Sequence, residues 1–318
     1  MLRSFPILLA ILVPAIASGQ DIPPYVPVNP VLASRSPLYA KPFVPAHRGW
    51  LVRTVMDYSN AVEVDGSSDG RHYTFDAEVL EADLWLTHDV SRRAFVIGDM
   101  PLRGGYSGFL DRALNWYHDL IGIQVPARKT DPLNTFIWDF TLPDGDHIVR
   151  QRPGTFLGDA RLGGGVRFGR IAVLATATLP TTTTASPGWG RHTVSGNLTV
   201  NARLATSSRI ALDAGASLGA TPAHGALAVY QRTVFGGGFV AGRWRFAGNQ
   251  SMFATFWTQS SNWKNTGFDA LDAPEVTLDF GFLLRVRPRA PELQLGLTED
   301  LYPRGPAVDV GFKIGVRW

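Results

Sequence analysis

Seven histidines, set among serines, threonines and carboxylates, are the side chains of this 318-residue chain that bear on hydrolysis or metal binding. Their spacing argues against both chemistries. His118 and Asp119 are neighbours on a predicted helix, where adjacent residues do not converge on one ion. Neither His-x3-His nor His-Glu-x-x-His occurs, so the paired imidazoles of a helical zinc site are missing. His192 and Ser195 fall on opposite parities of a predicted strand, and His72 has no serine on its own face. Lipid hydrolysis of the outer-membrane phospholipase kind needs a serine and a histidine within hydrogen-bond reach, which makes it the least favoured reading. Gly163-Gly164-Gly165 and Gly236-Gly237-Gly238 lack the lysine and helix that a phosphate loop requires. The absence of cysteine removes thiolates, disulfides and sulfur-ligated metals. The sequence therefore predicts no catalytic residue, no metal and no cofactor, and a chain that is not an enzyme.

The chemistry that remains is electrostatic. Asp159, Arg161, Arg167, Arg203, Asp213, Asp279, Arg285, Arg287, Lys313 and Arg317 alternate with apolar residues along predicted strands and are expected to share one enclosed polar space. Such a mixed-sign lining either neutralises itself and holds a narrow interior together or forms a solute path, with Arg161, Arg167, Arg285 and Arg287 as selectivity candidates.

The elements that must position these charges are strands. Val308 to Trp318 reads VDVGFKIGVRW, with Phe312, Ile314, Val316 and Trp318 on one face and Lys313 and Arg317 on the other. A terminal strand of this pattern, ending on an aromatic, fits the closing strand by which an outer-membrane barrel is assembled. The alternative is a half-buried strand of a secreted sandwich. Twelve alternating runs follow one another, at about 49–61, 72–89, 93–101, 156–168, 170–180, 192–205, 208–220, 235–246, 250–261, 273–287, 291–302 and 308–318. A one-residue slip would drive their charges into lipid, at about 2–4 kcal/mol for each basic residue near the midplane. The second run breaks the pattern, because Asp76 and Glu78 share parity with Leu80, Leu84 and Leu86 while Glu81 and Asp83 do not. One extra residue in a bulge near Val79 and Leu80 would bring all four acids to one side. Short turns alternate with long links, so both chain ends are expected on the short-turn, periplasmic rim. The fold class is all-β: a transmembrane antiparallel barrel of about 12 strands, within a range of 10 to 14.

Three segments stand apart from the strands. Residues 1–19 place Arg3 before an apolar stretch and small residues, the layout of a cleaved signal peptide. Residues 20–48 are rich in proline and read as an irregular leader lying under or inside the barrel. Within the link 102–155, Tyr106 to Ile123 has helical apolar spacing, with Ser107 or Gly108 to cap its start and Gly122 its end. Asp111, Arg112, Asn115, His118 and Asp119 are expected on its wet face, opposite Trp116 and the other apolar residues. A hairpin turning at Pro143-Asp144-Gly145-Asp146 follows. Helix and hairpin together would lid or plug the pore or lie on the membrane surface. Past the leader, no run reaches the roughly 18 apolar residues of a helical span.

Several segments resemble the DUF3187 family of bacterial outer-membrane-type proteins: Asn29-Pro30, MDYSN (Met56 to Asn60), YTFDAEVLEADLWL (Tyr73 to Leu86), GGYSGFLDRALNWYHDLIGI (Gly104 to Ile123), LGDARL (Leu157 to Leu162) and LGLTEDL (Leu295 to Leu301). The likeness spans most of the mature chain and is most specific over Asp111 to His118. Ala77 departs from the glycine expected after Asp76, which bears on strand packing. The resemblance implies an outer-membrane protein and supplies no catalytic residue.

The expectation is an exported bacterial outer-membrane barrel, a narrow porin-like channel or transporter for an unidentified small solute. The alternative is a closed structural or surface-interaction barrel. Its partners would be outer-membrane lipid and, during biogenesis, the barrel-assembly machinery. After loss of Arg3 the balance of 29 basic and 27 acidic residues gives no field suited to nucleic acid.

Overall fold

The computed structural model describes residues 21–47, 49–67, 70–122, 133–287, 290–302, 304–306 and 308–318. The expected signal peptide lies outside the described residues, as does the link 123–132.

Alternation of side chains resolves into one closed wall. Its strands are β1 (Trp50–Gly66), β2 (His72–Asp89), β3 (Ala94–Tyr106), β7 (Arg161–Phe168), β8 (Ile171–Thr178), β9 (Ser195–Thr206), β10 (Ile210–Ala220), β11 (Val234–Ala247), β12 (Gln250–Gln259), β13 (Glu275–Leu284), β14 (Glu292–Asp300) and β15 (Val310–Arg317). Each pairs antiparallel with the next, and β15 returns to β1 with Tyr58 opposite Phe312 and Arg53 opposite Arg317. Closure leaves the wall without a free edge, as a sheet in lipid requires. Met56, Leu84, Leu162, Leu198, Val240 and Phe312 point outward and are exposed, forming the apolar outer surface. Phe312, Ile314 and Trp318 belong to the same surface, with Val316 half-buried beside them. No helix among the described residues is long and apolar enough to cross a membrane, which says nothing against a barrel.

Three short strands complete the sheet: β4 (Ile137–Thr141), β5 (His147–Val149) and β6 (Gly154–Leu157). They occupy the long-link rim, where β4 takes over from β3 as the partner of β2 at Tyr73–Asp76 and β6 pairs with Leu102–Gly105 of β3. The predicted hairpin therefore extends the wall instead of lidding it. Its turn is as expected, with Gly145 at φ 88.

The expected bulge in β2 is not there. Register between β1 and β2 runs unshifted from Trp50–His88 to Gly66–His72, so Asp76 and Glu78 face outward while Glu81 and Asp83 face the lumen. The irregularity belongs to what covers the outer face there.

The leader fills the lumen as a hairpin. Its arms meet in a bridge between Tyr25 and Ala40, and helix α1 (Pro30–Ala33) makes the bend, capped by the Asn29 side chain on the Val31 N–H at 2.8 Å. Asp21 reaches Arg317 at the short-turn rim, the α1 carbonyls meet Asn262 at the opposite rim, and His47 returns to Asp89. Tyr25 and Leu38 pack on Phe239 and Trp257. Tyr39 and Phe43 pack on Trp85 and Phe95, and Val31 lies in a rim cluster with Phe75, Trp138 and Trp263. Aromatic residues thus interrupt the lumen's polar lining wherever the leader brings apolar side chains to it. Gly165 serves one such contact, since a Cβ there would stand 2.5 Å from the Phe95 ring.

Candidate functional site

The lumen gathers most of the charges that alternation assigned to it. Asp159, Arg161, Arg167, Arg203, Asp213, Asp279, Lys313 and Arg317 are all buried. Arg285 lies just past the end of β13, only partly covered, 3.4 Å from Glu292. Arg287 differs from expectation, because β13 stops at Leu284 and leaves it exposed in the following turn.

What each charge touches separates two kinds of contact. Arg103 pairs with Glu81 at 2.8 Å, Arg167 with Asp89 at 2.7 Å, Arg191 with Asp159 at 3.5 Å and Arg243 with Glu292 at 2.8 Å. Arg203 pairs closely with Asp213. Each then spends a remaining N–H on a carbonyl of the leader: Arg103 on Val28, Arg167 on Val44, Arg191 on Ser36, Arg203 on Phe43 and Arg243 on Asp21. Counter-charges are supplied by the wall and its loops, and the leader supplies neutral acceptors. Proline favours the supply, since it holds the leader extended and removes N–H groups that could otherwise pair its carbonyls, while the Phe43 and His47 N–H groups donate to Asp213 and Asp89.

Other contacts vary this scheme. Lys313 sits between Asp279 at 2.6 Å and Asp57 at 3.4 Å, with its ammonium 5.2 Å from the Tyr25 ring centre. Arg161 stands 3.7 Å from Asp99 and lies over the Tyr39 ring. Arg317 divides its charge between Glu292 at 3.1 Å and Asp21 at 2.6 Å, so here the leader does contribute a carboxylate. A cavity of about 20 Å³, room for roughly one water, remains between Pro24, Val26 and the side chains of Asp57, Glu81, Asp83 and Lys313. Asp57, Glu81, Asp99, Arg103, Arg191, Arg243 and Glu292 were not singled out as lumen residues from sequence. Parity alone would have placed Asp57 and Arg53 on the inner face of β1.

Outside the wall stands helix α2 (Asp111–Ile121), with its polar side turned in. Glu78 accepts the N–H groups of Phe109, at 2.6 Å, and Leu110, closing the helix start from another strand. Ser107 and Gly108 therefore do not cap the helix. Gly108 instead lets Glu78 approach: it lies at φ 71, and a Cβ would fall 1.9 Å from the Glu78 carboxyl carbon. Gly122 ends the helix at φ 75, as expected. Asp111 is buried and accepts from Asn60 of β1 at 3.0 Å. His118 is buried 3.7 Å from Asp309. The expected wet face is thus split: Asp111 and His118 meet the wall, and Arg112 and Asp119 stay exposed. Phe109, Trp116 and Leu120 of the apolar side are about two-thirds exposed, away from the barrel.

A third grouping lies on the rim extension. His72 and His147 both point Nε2 at Oδ1 of Asp139, at 3.1 and 2.9 Å, although the three come from β2, β5 and β4. Asp139 and His147 face each other across one hairpin, and only the distant His72, 67 positions from Asp139, completes the group.

No protein-family model matches the sequence, and no curated protein does. Solved structures do match. The COG4313 outer membrane channel from Pseudomonas putida F1 aligns with a TM-score of 0.52 at 13% identity, over 87% of this chain and 96% of that one. A Pseudomonas aeruginosa FadL homologue aligns at a TM-score of 0.44 and 8% identity, over 94% and 99%. The Pseudomonas putida toluene transporter TodX aligns at 0.40 and 10%, over 86% and 89%. At such identities the first likeness establishes a shared fold, and the lower-scoring two add nothing to it. The chain is a closed twelve-stranded β-barrel of the bacterial outer-membrane type.

Proposed function

We propose that this protein is an outer-membrane channel for a small solute whose lumen is held shut by its own leader, residues 21–47. The observation that carries the reading is that the lumen arginines facing the leader are already ion-paired within the barrel. Withdrawing the leader exposes carbonyl-binding N–H groups to water and strands few buried charges, whereas removing one partner of a buried ion pair costs about 3–5 kcal/mol. The leader's own ionisable groups meet wall charges at Asp21, whose partner Arg317 keeps Glu292, and at His47, whose partner Asp89 keeps Arg167. A lining that is neutral without its plug is a lining able to stand open. Arg161, Arg167 and Arg285 are then the cations a solute meets. The apolar belt fits outer-membrane lipid, and the closing strand with Phe312, Ile314, Val316 and Trp318 fits recognition by the barrel-assembly machinery after export on a cleaved signal peptide.

The competing reading is a permanently closed structural barrel, favoured by the apolar packing of Tyr25, Leu38, Tyr39 and Phe43. Single-channel recording in planar bilayers separates the two. The mature chain is expected to stay near baseline with brief openings, and deletion of residues 21–47 to give steady conductance. Deleting α2 alone, residues 109–121, is expected to open nothing, because it lies outside the lumen. A baseline trace from a leaderless barrel that still shows the heat-dependent gel shift of a folded one would overturn the channel.

A further inference from the structure

We propose that His72, Asp139 and His147 form a binding site for a divalent transition metal, zinc above all, on the outer face of the rim extension. Register brings them to one face. Thr74 lies opposite Asp139, which puts Asp139 on the side of β2 that carries His72, and His147 shares parity with Val149, the residue opposite Asp139. Two imidazole nitrogens and one carboxylate oxygen is a borderline donor set, suited to zinc and its neighbours and poor for calcium or magnesium.

The spacing suits a metal as it stands. All three donor atoms lie within 4.8 Å of one another. Nε2 of each histidine is 2.9–3.1 Å from the shared oxygen, and the donors of a tetrahedral zinc site with bonds of about 2.0–2.1 Å stand about 3.3 Å apart. An ion entering among them therefore asks for small side-chain rotations and no movement of the strands. The histidine side chains are 46% and 57% exposed, which leaves the remaining coordination positions to water. The bound ion would tie β2, β4 and β5 together where β4 replaces β3 in the wall. The site is outside the lumen, so it stands or falls independently of the channel reading.

The test is isothermal titration of zinc chloride into the purified, untagged mature chain in detergent micelles. One equivalent binding in the micromolar range is expected, with His72→Ala and His147→Ala each weakening it about tenfold or more. His88→Ala, a control stacked on Trp50, should leave it unchanged. Copper(II) bound to the wild-type chain should show two coordinated nitrogens by electron paramagnetic resonance, and one after either substitution. The heat-dependent gel shift reports that each variant is folded. Absence of saturable binding, or equal affinity in folded His72→Ala and His147→Ala, overturns the site and leaves the trio as a hydrogen-bonded pin.

Discussion

The leader inside the barrel and helix α2 outside it are both held by charges of the wall, the leader by both signs, since Asp213 and Asp89 accept the N–H groups of Phe43 and His47, and the helix start by a carboxylate alone. Inside, guanidinium groups such as those of Arg167 and Arg203 donate to leader carbonyls. Outside, the Glu78 carboxylate accepts the N–H groups that open α2. Each wall charge matches the backbone group its visitor leaves unpaired: carbonyls in an extended proline-rich strand, N–H groups at a helix start. The arginines also have wall partners of their own, whereas Glu78 is committed to the helix. The leader is thus fastened by donors and acceptors that also pair with each other, as Arg203 and Asp213 do, and the helix start by a carboxylate given over to it.

The largest effect should come from cutting into the inner network itself. Arg203→Ala leaves Asp213 buried without its counter-charge and is expected to cost about 3–5 kcal/mol in urea unfolding from micelles. The double variant with Asp213→Ala should be less destabilised than the single one. A double variant as damaged as the single would show that the ion pair is not the term that matters.

Next in size is Glu78→Ala, expected to cost about 1.5–3 kcal/mol and to act on the helix alone. Hydrogen exchange should quicken over residues 109–121 while the barrel strands keep their protection. Gly108→Ala should reproduce this by pushing Glu78 away. Loss of protection across β1 and β2 as well would mean that α2 and the wall are one unit.

The smallest effect on stability belongs to Trp116→Ala, expected to fall within about 0.5 kcal/mol because the ring is exposed. Its location should nevertheless be readable. Quenching of tryptophan fluorescence by brominated lipids should drop in Trp116→Phe, as an apolar stripe lying at the membrane surface requires. Unchanged quenching would place the stripe in water.

Much of the barrel was legible because lipid reads every second residue. Phe312 and Ile314 against Lys313 and Arg317 settle the facing of β15, and the same rule places Asp213 and Asp279 in the lumen. The rule misled at Asp76 and Glu78, where outward acids suggested a bulge and the structure instead sets Thr135 against Asp76 and the start of α2 against Glu78. It also overextended β13 to Arg287, because a turn residue at the right parity looks like a strand residue. The amphipathic pattern of α2 predicted a helix, yet not which side would face the wall, since both surroundings offered an apolar and a polar neighbour.

By itself the sequence determined the strands, their facing and their closure, because period-two alternation records at each residue whether hydrocarbon or the interior lies beyond the side chain. Only the tertiary structure decided that the leader occupies the lumen, that α2 stands outside and that His72, Asp139 and His147 converge. Those outcomes depend on donors and acceptors meeting from strands far apart in the chain, as Arg203 meets the Phe43 carbonyl across 160 positions, and no local pattern encodes such a meeting.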